Sequence, residues 1–285
     1  MPKITFMGAG STVFAKNVLG DSMMTPALEN STIALYDIDA DRLKESRLML
    51  DTINRNNGSK ANIESYLGVE NRKAALKGAN YVVNAIQGGG YEPCTVTDFE
   101  VPKKYGLRQT IADTLGIGGI FRALRTAPVM LDFAHDMEAV CPNAWFLNYV
   151  HPMALLTGTL QRFTGIKTVG LCHSVQVCAS HLLNELGMEY DDTVQWKIAG
   201  INHQAWLLEC TRDGVDLYPE IKRRALLYNA GKLDIGTFEE RVKSLTGGRE
   251  VDERTLEHLR KDYDLYTQKG LHGDMVRLEL MRRFG

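Results

Sequence analysis

The sequence predicts an α/β fold, in which a Rossmann-type doubly wound parallel sheet is followed by a second, mixed α/β domain of the α+β kind. Apolar segments of strand length alternate with amphipathic segments of helix length, as in a parallel sheet with right-handed crossovers. The first apolar segment ends in a glycine turn, Gly8-Ala9-Gly10. After Cys172 the alternation stops. We therefore expect one domain over residues 1–172 and a second over residues 173–285.

The individual elements follow from the spacing of the apolar residues. Five apolar segments of the first domain are predicted as strands, at residues 4–7, 32–36, 81–86, 144–148 and 168–171. Four segments with helical spacing are predicted as helices, at residues 13–24, 40–54, 120–140 and 153–163. The second domain is expected to contain a helix, two strands and a polar, mostly helical stretch, at residues 176–186, 194–199, 205–210 and 221–259.

The composition argues against several classes of protein. The 285 residues are 44% hydrophobic and 24% charged with a formal net charge of −2, which offers no basic surface for nucleic acid or an anionic membrane. The chain begins in a strand-like segment without the long apolar core of a signal peptide, and no later run is long enough to span a bilayer. Its five cysteines lack the spacing of a disulfide framework, so we expect reduced thiols and a cytoplasmic protein.

The glycine turn is a candidate dinucleotide site. In a strand–turn–helix unit the first glycine permits the tight turn, and the second lets the backbone approach a pyrophosphate. Val13 replaces the third glycine of the usual fingerprint, so a glycine turn of another α/β fold stays open as an alternative. Asp37 follows the second predicted strand, where a carboxylate binds ribose hydroxyls and favours NAD over NADP. The residues expected to contact the cofactor are Gly8, Gly10, Ser11, Thr12, Asp37 and Gln87.

A cysteine and a histidine near predicted strand ends are candidate metal ligands. Cys172 directly follows the strand predicted at residues 168–171, and His203 follows another apolar stretch. A thiolate and an imidazole bind divalent transition metals, and water or substrate hydroxyls would complete such a site. The alternative is that both are ordinary packed or hydrogen-bonded side chains.

Two further clusters could contact a substrate. A glycine-rich loop over residues 113–119 carries Asp113, which could bind a hydroxyl, hold a proton or cap the following helix. Asn148 ends the strand predicted at residues 144–148, and His151 follows it. Asn148 could instead satisfy the backbone of the turn, and the proline after His151 keeps that residue extended.

Six segments, in register from the first residues to His203, resemble the NAD-dependent glycoside hydrolases of family 4, and in particular their α-galactosidase (melibiase) branch. These segments are residues 3–12, 89–100, 109–116, 148–150, 170–176 and 199–203. The resemblance implies a bound NAD, a divalent metal, usually Mn²⁺, and an α-galactoside substrate. Glucose and galacturonate stay open as sugars, although Cys172-His173-Ser174-Val175-Gln176 favours galactose.

The resemblance also implies roles for single residues. Cys172 and His203 correspond to the metal ligands, His173 to the proton donor, and Asp113 to a residue of the substrate-binding loop. It further implies chemistry outside the usual two-carboxylate hydrolysis. NAD would take a hydride from C3 of the sugar, a base would remove the acidified C2 proton, and the metal would stabilise the enediolate. The aglycone would leave, water would add and NADH would return the hydride, so the net reaction would be hydrolysis.

The resemblance assigns the residues that bind the sugar and remove its C2 proton less definitely than it assigns the metal ligands. Asn148, His151 and Arg277 are expected to bind the sugar, and either Asp274 or Tyr266 to remove its C2 proton. The family usually has Asn where this chain has His151, and an imidazole is bulkier and can carry charge. The sugar contacts at this position are therefore expected to depart from the family pattern.

Two alternatives to an active hydrolase follow from the same sequence. Family members continue beyond Gly285, so we expect the second domain to be incomplete, and a homo-oligomer only if the full-length domain is present. A truncated relative that binds NAD without turnover is then one alternative. The other is a 2-hydroxy-acid dehydrogenase on the same fold, against which the Cys172 and His203 pair argues because that class needs no metal.

Overall fold

The computed structural model describes residues 1–58, 60–107, 114–234, 236–246 and 248–267. The chain divides into two units, Met1–Cys172 and His173–Gly285. Within the described residues, no helix combines the length and the apolar character that crossing a membrane requires.

The first unit is built on a six-stranded parallel sheet. Its strands are β1 (Lys3–Met7), β2 (Thr32–Asp37), β3 (Asn62–Leu67), β4 (Tyr81–Asn84), β5 (Trp145–Asn148) and β6 (Lys167–Gly170). They lie in the order β3-β2-β1-β4-β5-β6, and each neighbouring pair is parallel. This is the strand order of the doubly wound Rossmann fold, so the predicted fold class is confirmed.

Helices connect the strands. They are α1 (Thr12–Met24), α2 (Ala40–Asn56), α3 (Arg72–Leu76), α4 (Val96–Lys104), α5 (Gly116–Val140) and α6 (Met153–Phe163). Asp39 caps α2, because its carboxylate accepts hydrogen bonds from the N–H groups of Asp41 and Arg42 at 3.0 and 3.1 Å. The cap fixes the start of α2 directly after β2.

Apolar side chains cover both faces of the sheet. In β1, Ile4 and Phe6 belong to one buried cluster and Met7 to another. In β4, Val83 and Val82 divide between the same two clusters. This alternation arises because successive side chains of a strand point to opposite faces, and it explains why these strands are continuous apolar runs.

The strand order reverses direction at β1, because β2 lies on one side of it and β4 on the other. In a doubly wound sheet this reversal opens a crevice at the carboxyl ends of the strands, where ligands bind. The segments that follow β1, β2, β4, β5 and β6 all begin at this edge. They carry most of the first-domain residues that the sequence predicts to be functional.

The second unit combines helices with a small antiparallel sheet. Its elements are α7 (Ser174–Glu185), β7 (Val194–Ile201), β8 (Gln204–Arg212), β9 (Val215–Asp216), α8 (Tyr218–Asn229), α9 (Phe238–Thr246) and α10 (Glu253–Thr267). The sheet order is β7-β8-β9. Leu183, Cys210, Ile221 and Tyr228 form the buried centre of this unit. The predicted second, mixed domain is therefore observed.

Several elements depart from the sequence prediction, which contained none of β3, α3, α4 and β9. The apolar pattern missed β3 because Asn62, Glu64 and Ser65 interrupt it, although the strand pairs with β2 along its length. Helix α5 begins at Gly116 rather than at residue 120, within the segment predicted as a glycine-rich loop. A Cβ at Gly119 would lie 3.0 Å from the carbonyl carbon of Thr114, so this glycine permits close packing inside the first turn of the helix.

Candidate functional site

The turn between β1 and α1 requires glycine at its first position. Gly8 has a φ of 84°, in the left-handed region, and a Cβ there would lie 2.9 Å from backbone atoms of Ala85 and Ile86. The N–H groups of Gly8 and Ala9 both donate to the carbonyl oxygen of Tyr36 at 3.0 Å. The turn is thus fixed between the ends of β2 and β4.

Asp37 lies at the end of β2, beside this turn. Its Oδ2 accepts a hydrogen bond from the N–H of Gly10 at 2.6 Å, and its Oδ1 accepts one from the N–H of Asp39 at 3.0 Å. A Cβ at Gly10 would lie 2.9 Å from Asp37 Oδ2 and 2.8 Å from the Cβ of Arg42. The carboxylate and the glycine turn therefore form one unit, an arrangement suited to a ribose beside a pyrophosphate.

The start of α1 completes this part of the edge. Ser11 is the N-cap residue and Thr12 the first residue of the helix. The first N–H groups of a helix carry partial positive charge and bind anions such as phosphate. The sequence-predicted residues Gly8, Gly10, Ser11, Thr12 and Asp37 are thus adjacent in the fold, and their cofactor role stays a prediction.

The segment after β4 is supported by a buried ion pair. Arg125 in α5 donates two hydrogen bonds to Asp98 in α4, at 2.8 and 2.6 Å, and a third to the carbonyl oxygen of Gly88 at 2.9 Å. Asp98 is 2% exposed and Arg125 is 23% exposed. The hydrogen bonds to Asp98 raise the pKa of the Arg125 guanidinium above its usual value. Gln87 also lies in this segment and donates to the hydroxyl of Thr95 at 3.3 Å.

Replacing Asp98 by Asn is expected to destabilise the first unit by about 3 kcal/mol, because it leaves a largely buried guanidinium without its counter-charge. Urea denaturation measures this loss. Glu100 in the same helix forms an exposed ion pair with Lys103, so Glu100→Gln is the matched control and should change stability by less than about 1 kcal/mol. Equal effects of the two substitutions would contradict the supporting role of Asp98.

The end of β5 is organised by Asn148, which is fully buried. Its Oδ1 accepts hydrogen bonds from the N–H of Val150 at 3.0 Å and from Asn84 Nδ2 at 3.1 Å. Its Nδ2 donates to the carbonyl oxygen of Val150 and to the hydroxyl of Thr157, both at 3.2 Å. These contacts show that Asn148 shapes the turn that leads to His151, whereas its predicted role in sugar binding stays untested.

His151 and Cys172 come together at the ends of β5 and β6. The ligand atoms of the two side chains lie within 4.8 Å of each other, within reach of one metal ion. Both residues are partly buried. The Nδ1 atom of His151 also forms a hydrogen bond with the hydroxyl of Thr114 at 3.0 Å. The sequence predicts His151 as a sugar contact and Cys172 as a metal ligand, and the structure shows in addition that the two side chains lie close together.

The remaining predicted residues of the second unit occupy element ends. His173 is the N-cap residue of α7, and its carbonyl oxygen accepts from the N–H of Gln176 at 3.0 Å. His203 lies in the turn between β7 and β8 with a φ of 60°, a strained conformation for a residue other than glycine. Tyr266 lies in α10. Three predicted site residues lie outside the described residues: Asp113, Asp274 and Arg277.

Comparison with known families and relatives gives consistent matches. Residues 3–188 match the family described as "Family 4 glycosyl hydrolase", and residues 198–285 match "Family 4 glycosyl hydrolase C-terminal domain". An α-galactosidase of Bacillus subtilis (strain 168) is 55% identical over 285 residues, covering 100% of this chain and 56% of the relative. An α-galacturonidase of Thermoanaerobacter italicus is 34% identical over 246 residues, covering 84% of this chain and 52% of the relative. The chain thus spans about half the length of these relatives.

A solved structure shares the fold. The structure of a 6-phospho-α-glucosidase from gut microorganisms, in complex with NAD and Mn²⁺, superposes with a TM-score of 0.68 at 22% sequence identity. The match covers 78% of this chain and 50% of that structure. At this level of identity the match supports the fold and carries no assignment of individual residues.

Proposed function

Because this chain belongs to family 4 of the glycosyl hydrolases, we propose that it hydrolyses α-galactosides with NAD and a divalent metal ion, preferably Mn²⁺, as bound cofactors. The observation that carries the proposal is the higher identity to an α-galactosidase, along the whole chain, than to an α-galacturonidase. Galactose is therefore preferred over galacturonate as the sugar.

The turn between β1 and α1 fits NAD. Gly8 and Gly10 have no side chain where a Cβ would collide with neighbouring atoms, so the backbone there can approach a pyrophosphate. The N–H groups in the first turn of α1, beginning at Thr12, would bind the phosphates. The Asp37 carboxylate would accept hydrogen bonds from ribose hydroxyls. When bound, NAD supplies a hydride acceptor for a sugar carbon that carries a hydroxyl group.

The donor set at the ends of β5 and β6 fits a divalent metal. Cys172 offers a thiolate that lies close to an imidazole, a combination that transition metals bind. We propose Cys172 as one ligand and, from the family resemblance, His203 as another. When bound, the metal supplies a Lewis acid for the hydroxyl oxygens of the sugar.

The residues of this chain would then position the sugar and transfer protons. His173 follows Cys172 directly in the sequence, and we propose that its imidazole donates a proton to the leaving glycosidic oxygen. Either Tyr266 or Asp274 would remove the proton from C2. Asp113 and Arg277 would bind the sugar. Asn148 is fully buried and uses all four of its hydrogen-bonding positions on neighbouring groups of the protein, so we propose that it shapes the turn and does not contact the sugar. We further propose a cytoplasmic enzyme that acts on small α-galactosides, without nucleic acid or membrane partners, and that forms a homo-oligomer when its full-length domain is present.

Release of p-nitrophenol from p-nitrophenyl α-galactoside tests the proposal. The protein is stripped of metal with EDTA and of nucleotide with charcoal, and NAD and Mn²⁺ are then returned separately and together under reducing conditions. We expect turnover only when both are present, with omission of either lowering the rate at least about 100-fold, which is about 2.7 kcal/mol of transition-state stabilisation. Parallel assays with the α-glucoside and the α-galacturonide test the choice of sugar.

Other results would contradict the proposal in distinct ways. Turnover that does not depend on NAD would exclude the redox route, and faster turnover of the galacturonide would overturn the choice of galactose. Formation of NADH from a 2-hydroxy acid would favour a dehydrogenase on the same fold. Thermal protection by NAD without turnover of any glycoside would identify a relative that binds the cofactor and lacks activity.

A further inference from the structure

The geometry points to His151 as a ligand of the divalent metal, bound through its Nε2 atom beside the thiolate of Cys172. This inference deepens the proposed function, because it concerns the same metal. It also assigns His151 a role different from the sugar contact that the sequence predicts. The consequence is a site with one more nitrogen ligand than the pair inferred from the family resemblance.

The sheet register brings the two ligands together. Strands β5 and β6 are adjacent and parallel, with Asn148 paired to Gly170 at their ends. His151 and Cys172 lie just beyond these paired residues, so both side chains belong to the same edge of the sheet. Their ligand atoms lie within 4.8 Å of each other. A metal binds thiolate sulfur at about 2.3 Å and imidazole nitrogen at about 2.0–2.1 Å, so one ion can contact both after small side-chain movements.

A second observation comes from the other ring nitrogen of His151. Its Nδ1 lies 3.0 Å from the hydroxyl oxygen of Thr114, and Thr114 is 8% exposed. Histidine ligands in metal sites usually donate their second N–H to an oxygen atom, which fixes the tautomer and the orientation of the ring. With Nδ1–H donating to Thr114, the lone pair for the metal is on Nε2. Thr114 is therefore a positioning residue for the ligand.

The residue type has a chemical consequence. Where the family usually carries an amide side chain, this chain has an imidazole, which is a stronger ligand for the later divalent transition metals. An added imidazole is therefore expected to raise the affinity of the site for Co²⁺ and Zn²⁺ more than its affinity for Mn²⁺. His151→Asn should therefore weaken binding of Co²⁺ more than binding of Mn²⁺.

Titration with Co²⁺, in the absence of NAD and substrate, tests the inference on the whole chain. Calorimetry gives the dissociation constant, and the thiolate-to-Co²⁺ absorption band reports the bond to Cys172. We expect His151→Asn to keep the band and to weaken Co²⁺ binding at least about tenfold. His135→Asn, at an exposed position in α5, is the matched control and should bind Co²⁺ as the wild type does. Co²⁺ affinity of His151→Asn equal to that of the control would overturn the inference.

Two further variants keep the inference testable if His151→Asn fails to fold. Thr114→Val removes the hydroxyl that orients the ring and should weaken Co²⁺ binding several-fold with an unchanged thiolate band. His151→Gln offers a second replacement, and far-UV circular dichroism establishes which variants are folded. Wild-type affinity in Thr114→Val together with either folded variant at position 151 would exclude His151 as a ligand.

The outcomes also separate this inference from the proposed function. Co²⁺ binding that depends on His151, in a protein that hydrolyses no glycoside, would support His151 as a metal ligand and contradict the proposed hydrolase activity. Metal-dependent hydrolysis, with a Co²⁺ affinity that does not depend on His151, would support the hydrolase activity and overturn the assignment of His151 as a metal ligand. If the wild-type chain bound no divalent metal, both the metal-dependent hydrolase activity and the role of His151 as a ligand would be contradicted.

Discussion

Replacing Cys172 by serine is expected to lower kcat/KM for the α-galactoside at least about 1,000-fold, which corresponds to about 4 kcal/mol of transition-state stabilisation. A thiol loses its proton readily next to a bound metal, whereas a serine hydroxyl does so only with great difficulty. The variant therefore loses the strongest ligand that the first unit offers. Because Cys172 is only partly buried, the stability of the variant should differ little from that of the wild type.

The measurement combines kinetics with metal binding. Rates are taken at saturating NAD over a range of Mn²⁺ concentrations, and the thiolate-to-Co²⁺ band is recorded for the same preparation. Cys178→Ser in α7, at an exposed cysteine, is the matched control and should retain both the rate and the band. A Cys172→Ser variant with wild-type kcat/KM and wild-type metal dependence would show that Cys172 does not bind the catalytic metal.

The fold could be predicted from the sequence where burial is two-sided. Strands β1 and β4 are short apolar runs because both of their faces are covered, and such runs stand out in the sequence. Strand β3 lies at the edge of the sheet and contains the polar residues Asn62, Glu64 and Ser65, so it lacks the continuous apolar run by which the other strands were predicted. The start of α5 was hidden by its glycines, which local propensity assigns to loops and close packing here places in a helix.

The candidate site could be predicted only in part. The glycine turn and Asp37 follow a spacing that chain geometry imposes, so the sequence was sufficient. The contact between Arg125 and Asp98 joins residues of different helices, and no local pattern predicts it. The pairing of His151 with Cys172 could have been predicted from the order of the strands. Each residue follows the end of a predicted strand, and neighbouring parallel strands end at the same edge of the sheet.

The second large effect is expected for Gly8→Ala, which should weaken NAD binding about 100-fold, or about 2.7 kcal/mol. Two causes combine. An L-residue at a φ of 84° costs about 1–2 kcal/mol, and the new Cβ would lie 2.9 Å from backbone atoms of Ala85 and Ile86. Since those atoms continue β4, they cannot move without shifting the strand end. The turn must shift instead, and the first N–H groups of α1, which follow it, are then displaced from the pyrophosphate.

Gly58→Ala separates these two causes. Gly58 has a φ of 85°, nearly that of Gly8, but a Cβ there has no heavy atom within 4 Å. It should therefore show the backbone cost alone, about 1–2 kcal/mol of stability, and keep the full increase in melting temperature on addition of NAD. Gly8→Ala should lose more stability and nearly all of that increase. If both variants kept wild-type affinity for NAD in calorimetry, the cofactor would bind elsewhere, because no pyrophosphate held by this turn could tolerate the displaced backbone.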